Sequence, residues 1–440
     1  MVRIHTLNVE PPVVNASCAW ASDYEQLHEL YDSPHTGAVV TRTATFNGFS
    51  EDATNTVAFA KSSVTSLNSY GYSPHPLSKY LDWVYTLLTT PMLDGSPPTK
   101  PIIISITAST PTVLAEMVQN IQALRKKLRA SYSASAYGEF APSSPSRTRR
   151  GSPGASSSSS SHAHPAPAFV SGTAMDPATL VGIELNTSCP NIKDAPPPAY
   201  TFSFLLPYLD VLSSAFYADP SLTIGLKLPP YLYSTRFVEV IRFIHTYTRE
   251  IRPAAFVKGS MQEPLGPDGQ VMRSLNPFAY LACTNTLGNC LMFGEQAFYD
   301  PLESSAYMEA AASSDMDTDA PVPPRTPSPP SPSSSSSSTP PPAPPSPTTT
   351  PSPFALPPAL GGLGGESMHP IALGNVYCFA RLLAAHPDHA IRRIRIIGIG
   401  GVTSPAAAAR MRAAGASAVG CATLLGREGV RAFEILAGHP

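Results

Sequence analysis

The sequence predicts an α/β chain folded as a closed parallel (β/α)8 barrel, because eight short apolar segments alternate with longer amphipathic helical patterns. The far ends of those segments carry polar and glycine-rich motifs, whereas their near ends begin with bland residues such as Pro101, Leu180 and Leu222. That asymmetry suits a barrel, whose active site lies at the carboxyl ends of the strands.

The eight segments are β-branched and bounded by turn residues. They are PPVVNAS near residue 11, GAVVTR at 37, PIIISIT at 101, LVGIELN at 180, LTIGLKL at 222, AYLACTN at 279, IRIIGIG at 394 and SAVGCAT at 417. Helical patterns separate them. One runs from Asp23 to Tyr31, where Ser22 and Glu25 have capping-box spacing, and another from Ser404 to Ala414 with Pro405 in its first turn.

The chain has 440 residues and 50 prolines, and residues 320–353 alone hold 15 prolines. Residues 143–161 read SSPSRTRRGSPGASSSSSS. Neither stretch buries enough apolar surface to offset its ordering entropy, so residues 131–175 and 303–357 are expected to be disordered Ser/Pro-rich insertions. The rest, about 340 residues, suffices for one large barrel domain. The tracts fall after the helix of strand three and after strand six, in connections.

With 29 basic against 31 acidic residues, the formal net charge is −2, which gives no broad basic field for nucleic acid. Six scattered cysteines without a CxxC pair read as reduced thiols. There is no apolar run of membrane-spanning length and the N-terminus lacks the apolar core of a signal peptide, so a cytoplasmic protein without a membrane partner is expected. The His, Asp and Glu positions show no metal-ligand spacing, and no metal is expected.

The strand ends carry the chemistry. Gly398-Ile399-Gly400-Gly401 and Ala422-Thr423 each precede a helical pattern, and glycines there let backbone amides approach a phosphate. Lys227 ends an apolar strand, where its ammonium calls for an anionic or strongly accepting partner. Asn186-Thr187-Ser188-Cys189-Pro190-Asn191 brings two carboxamides and a thiol to one strand-to-loop junction. Carboxamides donate and accept, which suits a planar ligand with amide edges, and Asn68 and Asn285 end other segments similarly. The thiol can serve as a nucleophile or a general base, or stay inert. No histidine in the motif segments stands ready to pair with it.

Taken in order, LNSYGY, ELNTSCPN, GLKLPPY, LACTNTLGN, LGGLGG followed by HPIALGNV, and IIGIGG resemble dihydroorotate dehydrogenase of the soluble class that uses cysteine as base. The resemblance runs from about residue 9 to residue 437, outside the two insertions. It implies an FMN-carrying barrel that oxidises dihydroorotate to orotate in pyrimidine synthesis. Cys189 then matches the base, and Asn68, Asn186, Asn191, Asn285 and Thr286 match residues that hold the pyrimidine and its carboxylate, with Ser69, Tyr70, Gly71 and Tyr72 beside them. Lys227 matches the lysine facing the flavin ring, where positive charge stabilises the reduced anion. Ala16, Ser17, Thr43, Thr284, Gly365, Gly400, Gly401, Ala422 and Thr423 match positions around the flavin and its phosphate. The resemblance is nearest to the homodimeric branch whose soluble acceptor is fumarate.

Four positions depart from the family. Arg42 stands where a lysine contacts both flavin and substrate, and the exchange alters shape and hydrogen bonding at a packed site. Cys18 and Ala422 replace glycines, and His369, which opens HPIALGNV, stands where the family has a lysine. Two other readings stay open. One is an FMN-binding paralogue acting on another dihydropyrimidine or enoate, and the other a non-catalytic barrel whose Pro-rich insertions dock partners.

Overall fold

Side chains alternate across a strand, so each barrel strand sends one set inward and the other toward the helices. The computed structural model describes residues 1–92, 95–139, 176–192, 197–250, 274–298 and 352–438. Its centre is an eight-stranded, wholly parallel sheet. The strands are β1 (Val13–Asn15), β2 (Val39–Val40), β3 (Ile102–Ile106), β4 (Val181–Asn186), β5 (Thr223–Leu228), β6 (Phe278–Cys283), β7 (Arg395–Ile399) and β8 (Ala418–Cys421). They pair in the order β1-β8-β7-β6-β5-β4-β3-β2. A parallel bridge from Val14 to Ala38 closes the ring, and the fold is a (β/α)8 TIM barrel.

Each strand coincides with an apolar segment expected from the sequence. In β4, Val181, Ile183 and Leu185 join the large core beneath the helices, while Gly182, Glu184 and Asn186 take the inward set. In β5 the inward set is Thr223, Gly225 and Lys227. Tyr280 of β6 fills the interior opposite Gly225, where a Cβ would lie 2.0 Å from the ring. The floor is closed by an antiparallel hairpin, Val2–Ile4 with Leu7–Val9, whose Ile4, Leu7 and Val9 pack on Val14, Ile103, Tyr280 and Ile397.

Helix starts follow local capping chemistry. The helix Pro405–Ala413 begins as expected, with Ser404 Oγ accepting from the Ala407 amide. The helix Tyr24–Asp32 begins one residue later than Ser22 and Glu25 suggested. Asp23 is its cap and accepts from the Gln26 amide, and Gln26 Oε1 accepts in return from the Ser22 amide.

Five short strands form a second, antiparallel sheet in the order Leu287–Leu291, Leu360–Gly365, Thr65–Asn68, Val57–Ala60 and Ala297–Phe298. It has no counterpart among the strands expected from the sequence. The Thr65–Asn68 and Leu360–Gly365 strands bring Ser66, Asn68 and Gly364 to the carboxyl ends of the barrel strands.

Both low-complexity tracts leave the barrel at pinned necks. The helix Pro111–Glu139 runs past residue 131, where the first insertion was expected to begin, and residues 140–175 lie outside the described residues. Arg129 of that helix forms a bidentate pair with Asp176, where the chain resumes. Arg125 on the same helix is fully buried and donates to the Ala178 and Val181 carbonyls, to Asp219 and to Ser221. At the second tract the chain resumes by residue 352, before the expected 357, and Leu356 is buried. There the Gly294 amide donates to Pro353 and the Ala355 amide to Met292. The bulk of that expected insertion, like the Pro-rich docking stretch, lies outside the described residues.

Candidate active site

The carboxyl ends of the strands and the antiparallel sheet line a cleft that shares Thr284, Thr286, Ala422 and Thr423 with a second, smaller hollow. Ala16, Ser17, Arg42, Thr43, Asn68, Tyr70, Gly71, Asn186, Cys189, Asn191, Lys227, Thr284, Asn285, Thr286, Ala422 and Thr423 line the first. Gly365, Gly400 and Gly401 line the second.

Two expected residues do not line either hollow. Ser69 turns away and donates to Thr54, and Tyr72 packs edge-on against Phe49. The strand ends at Asn68, so no strand alternation runs on to Tyr72, and of this segment Asn68, Tyr70 and Gly71 reach the cleft. Sequence reasoning gave no site role to Trp20, Ser66, Pro190 and Ile399, which also line the cleft. Ser66 comes from the antiparallel sheet and hydrogen-bonds Thr423 at 2.8 Å. No pattern in the sequence marks a lone serine on such a strand.

The carboxamides are mutually oriented. Asn285 Nδ2 donates to Asn186 Oδ1 and to Ser188 Oγ, both at 3.2 Å, and Asn186 Nδ2 donates to Thr43 Oγ1 at 2.9 Å. Asn191 Nδ2 donates to Asn68 Oδ1 at 3.0 Å and to the Tyr70 carbonyl at 2.9 Å. The Ser188 amide donating to Asn186 Oδ1, the Thr286 amide donating to Asn285 Oδ1 and the Tyr70 carbonyl accepting from Asn191 fix the oxygen end of these three amides. Lys227 is buried, and its Nζ donates to the Ser17 carbonyl at 2.9 Å. Thr187 Oγ1 donates to the Lys227 carbonyl at 2.6 Å and ties the Cys189 loop to β5.

Cys189 Sγ lies 3.9 Å from the Tyr70 carbonyl. Burial pushes its thiol up, opposed by the Asn191 amide and by the charges of Lys227 and Arg42. Arg42 is itself buried and paired. Its guanidinium contacts Glu51, donates to Ser22 Oγ at 3.2 Å and lies 5.4 Å from the Tyr70 ring centre.

The second hollow is edged by glycines. Gly365, Gly400 and Gly401 have φ of 77°, 124° and 66°, in the left-handed half of the map that side chains disfavour. Their loop is braced from below by His369. Arg410 Nε donates to His369 Nε2 at 3.2 Å, so the imidazole donates from Nδ1 to the Gly400 carbonyl at 2.9 Å. His369 therefore supports the glycine loop and lines neither hollow. Gly401→Ala is expected to cost about 1–3 kcal/mol, read as a lowered midpoint of thermal unfolding. Its Cβ would sit 2.5 Å from His369 Cβ and 2.8 Å from the Gly365 carbonyl oxygen.

Among the described residues, no group of three or more His, Cys, Asp or Glu could hold a metal ion, and no helix is long and apolar enough to cross a membrane.

Residues 348–437 match the family model described as dihydroorotate dehydrogenase. The chain is 23% identical over 252 residues to a putative dihydroorotate dehydrogenase A (fumarate) of Streptococcus agalactiae serotype Ia, covering 57% of this chain and 51% of that protein. It is 26% identical over 251 residues to a dihydroorotate dehydrogenase (fumarate) of Saccharomyces paradoxus, with 57% and 51% covered. A third match, 24% over 253 residues with the same coverage, is to a putative dihydroorotate dehydrogenase A (fumarate) of Streptococcus pyogenes serotype M5. The chain thus spans about half the length of the curated relatives it matches. On these matches and on its barrel fold, the family that this chain resembles is that of the dihydroorotate dehydrogenases.

Proposed function

We propose that this protein binds FMN and oxidises (S)-dihydroorotate to orotate in pyrimidine synthesis, as a cytoplasmic homodimer with fumarate as soluble acceptor. The observation that carries the reading is the convergence of a thiol, four carboxamides and a buried lysine beside a glycine-edged hollow in one barrel mouth. The matches to proteins named dihydroorotate dehydrogenase (fumarate) support it.

Two features fit FMN. Thr284 Oγ1 is buried at the junction of the two hollows and has no hydrogen-bond partner, so a polar ligand atom can satisfy it. Gly365, Gly400 and Gly401 edge the smaller hollow with positive-φ backbone, the kind of loop in which backbone amides can approach a phosphate. In this reading these glycines, Ala422 and Thr423 hold the phosphate end, and Ala16, Ser17, Thr43, Thr284 and Lys227 hold the ring. When bound, FMN supplies the acceptor for the hydride that leaves C6 of the substrate.

The chain's own residues do the rest. Asn68, Asn186, Asn191, Asn285 and Thr286 present donors and acceptors to the amide edges of the pyrimidine, and Arg42 offers its remaining N–H groups to the carboxylate. Cys189 takes the C5 proton as thiolate. Lys227 holds a positive charge beside the ring.

One observation favours a second reading, an FMN-binding barrel acting on another dihydropyrimidine or enoate. Arg42 stands in the lysine's place and is partly neutralised by Glu51. The two separate in one anaerobic experiment on the purified protein. A flavin band that bleaches on adding L-dihydroorotate is the expected result. A band that persists sinks the dihydroorotate assignment and leaves the second reading, and absence of a band after reconstitution with FMN overturns both.

A further inference from the structure

One layer beneath the site, the barrel holds a carboxyl group that the reaction above does not use. Glu184 is an inward residue of β4 and is 2% exposed. Its Oε1 lies 3.3 Å from Ser105 Oγ, Ser105 Oγ lies 3.0 Å from Thr43 Oγ1, and Thr43 Oγ1 lies 2.9 Å from Ser17 Oγ. Ser17 and Thr43 line the cleft, so a continuous chain of hydroxyls joins the buried carboxyl to the site.

Each hydroxyl has one proton to donate, which leaves the chain two self-consistent polarities. With Glu184 ionised, Ser105 donates to it, Thr43 to Ser105 and Ser17 to Thr43, and Ser17 shows the ligand only lone pairs. With Glu184 protonated every bond reverses, and Ser17 donates into the cleft. Asn186 donates to Thr43 in both arrangements, because Asn186 Oδ1 is held by Asn285 and by the Ser188 amide. The other titratable groups facing Glu184 are Lys227 of β5 and Tyr280 of β6, whose hydroxyl stands 3.5 Å from Oε2. Lys227 and the hydrogen bonds favour the carboxylate, while burial favours the acid and prevails.

We propose that Glu184, Ser105 and Thr43 form a proton wire that switches Ser17 between acceptor and donor toward the ligand, so that negative charge on the ligand and a proton on Glu184 stabilise each other. The conversion balances. A proton from solvent adds to Ser17, each hydroxyl passes its former proton inward, and one O–H bond forms at Glu184 Oε1. Because the two events are linked, charge on the ligand raises the proton affinity of Glu184 as much as the proton favours the charge.

The inference rests on the flavin reading for its ligand, and its test has an arm that does not. In ligand-free protein, infrared difference spectroscopy should show a protonated carboxyl band that Glu184→Gln removes. In FMN-loaded protein, reduction to the anion should take up one extra proton between the two pKa values of Glu184. Within that window the midpoint potential then falls more steeply with pH. Glu184→Gln keeps an amide donor at the end of the wire and should lose the extra slope. Ser105→Ala should keep the carboxyl band and lose the slope too, and it serves if the Gln variant does not fold. A carboxyl ionised at every pH tested, or variant and wild-type profiles that superimpose, overturns the wire. Failure to bind FMN overturns the flavin reading instead, and the wire is then judged by whether Ser105→Ala slows hydrogen–deuterium exchange of the carboxyl band.

Discussion

Replacing Cys189 with alanine is expected to lower the rate of substrate oxidation by about 10²–10⁴-fold, the usual contribution of a positioned general base, with cofactor content unchanged. The separation of effects follows from geometry. Cys189 sits in the loop after β4, tied to β5 through Thr187, whereas the glycine-edged hollow is formed by other loops. A raised thiol means that the thiolate fraction, and with it the rate, climbs with pH through the neutral range. Cys189→Ser should therefore lose nearly all activity at neutral pH and recover part of it at high pH. Lys227 lowers the thiol, so its removal should push the rising limb of the profile to higher pH. The check is rapid-mixing reduction of the loaded protein across pH. A Ser variant with the wild-type profile and rate would remove Cys189 from the mechanism.

The largest loss of stability is expected from Arg125→Met, about 3–5 kcal/mol, because a buried guanidinium that donates to four partners is removed. Arg125 is 0% exposed, and its Nη1 donates to the Ala178 and Val181 carbonyls at 2.5 and 2.7 Å. Its Nη2 donates to Asp219 at 3.2 Å and to Ser221 at 2.7 Å. Methionine fills the space of the stem and leaves the Ala178 and Val181 carbonyls without the donors Arg125 gave them. Arg129, with its side chain 40% exposed, makes the control, since Arg129→Met should cost no more than about 1 kcal/mol. Urea unfolding of the three proteins compares them directly. Equal midpoints for both variants would refute the argument.

The barrel was legible because its strands carry the pattern of their surroundings. Runs such as IIISI and VGIELN are β-branched, apolar on the helix side and bounded by turns. The antiparallel sheet was not, because LGGLGG and TSLN alternate too weakly to mark a buried face and their partners lie far apart in sequence. Of the site, the asparagines, Lys227 and Cys189 stand out as polar groups closing apolar strands. Trp20 and Ser66 reach the cleft only through tertiary packing, and nothing local announces them. Ser105 and Glu184 were read simply as parts of strands. Period-2 alternation turns both inward, but only the fold shows that Thr43 bridges the first to Ser17.

The pinned necks bear on how this chain tolerates change in length. At each of them the chain leaves and re-enters the barrel at points already fastened to one another, by Arg129 with Asp176 in one case and by paired backbone amides in the other. The folded barrel therefore holds the ends of the intervening segment at a fixed separation, whatever its length. For a flexible loop the cost of closure grows only as the logarithm of its residue number, so each doubling adds about 0.6 kcal/mol. Lengthening or shortening either tract is then expected to be nearly neutral for the barrel.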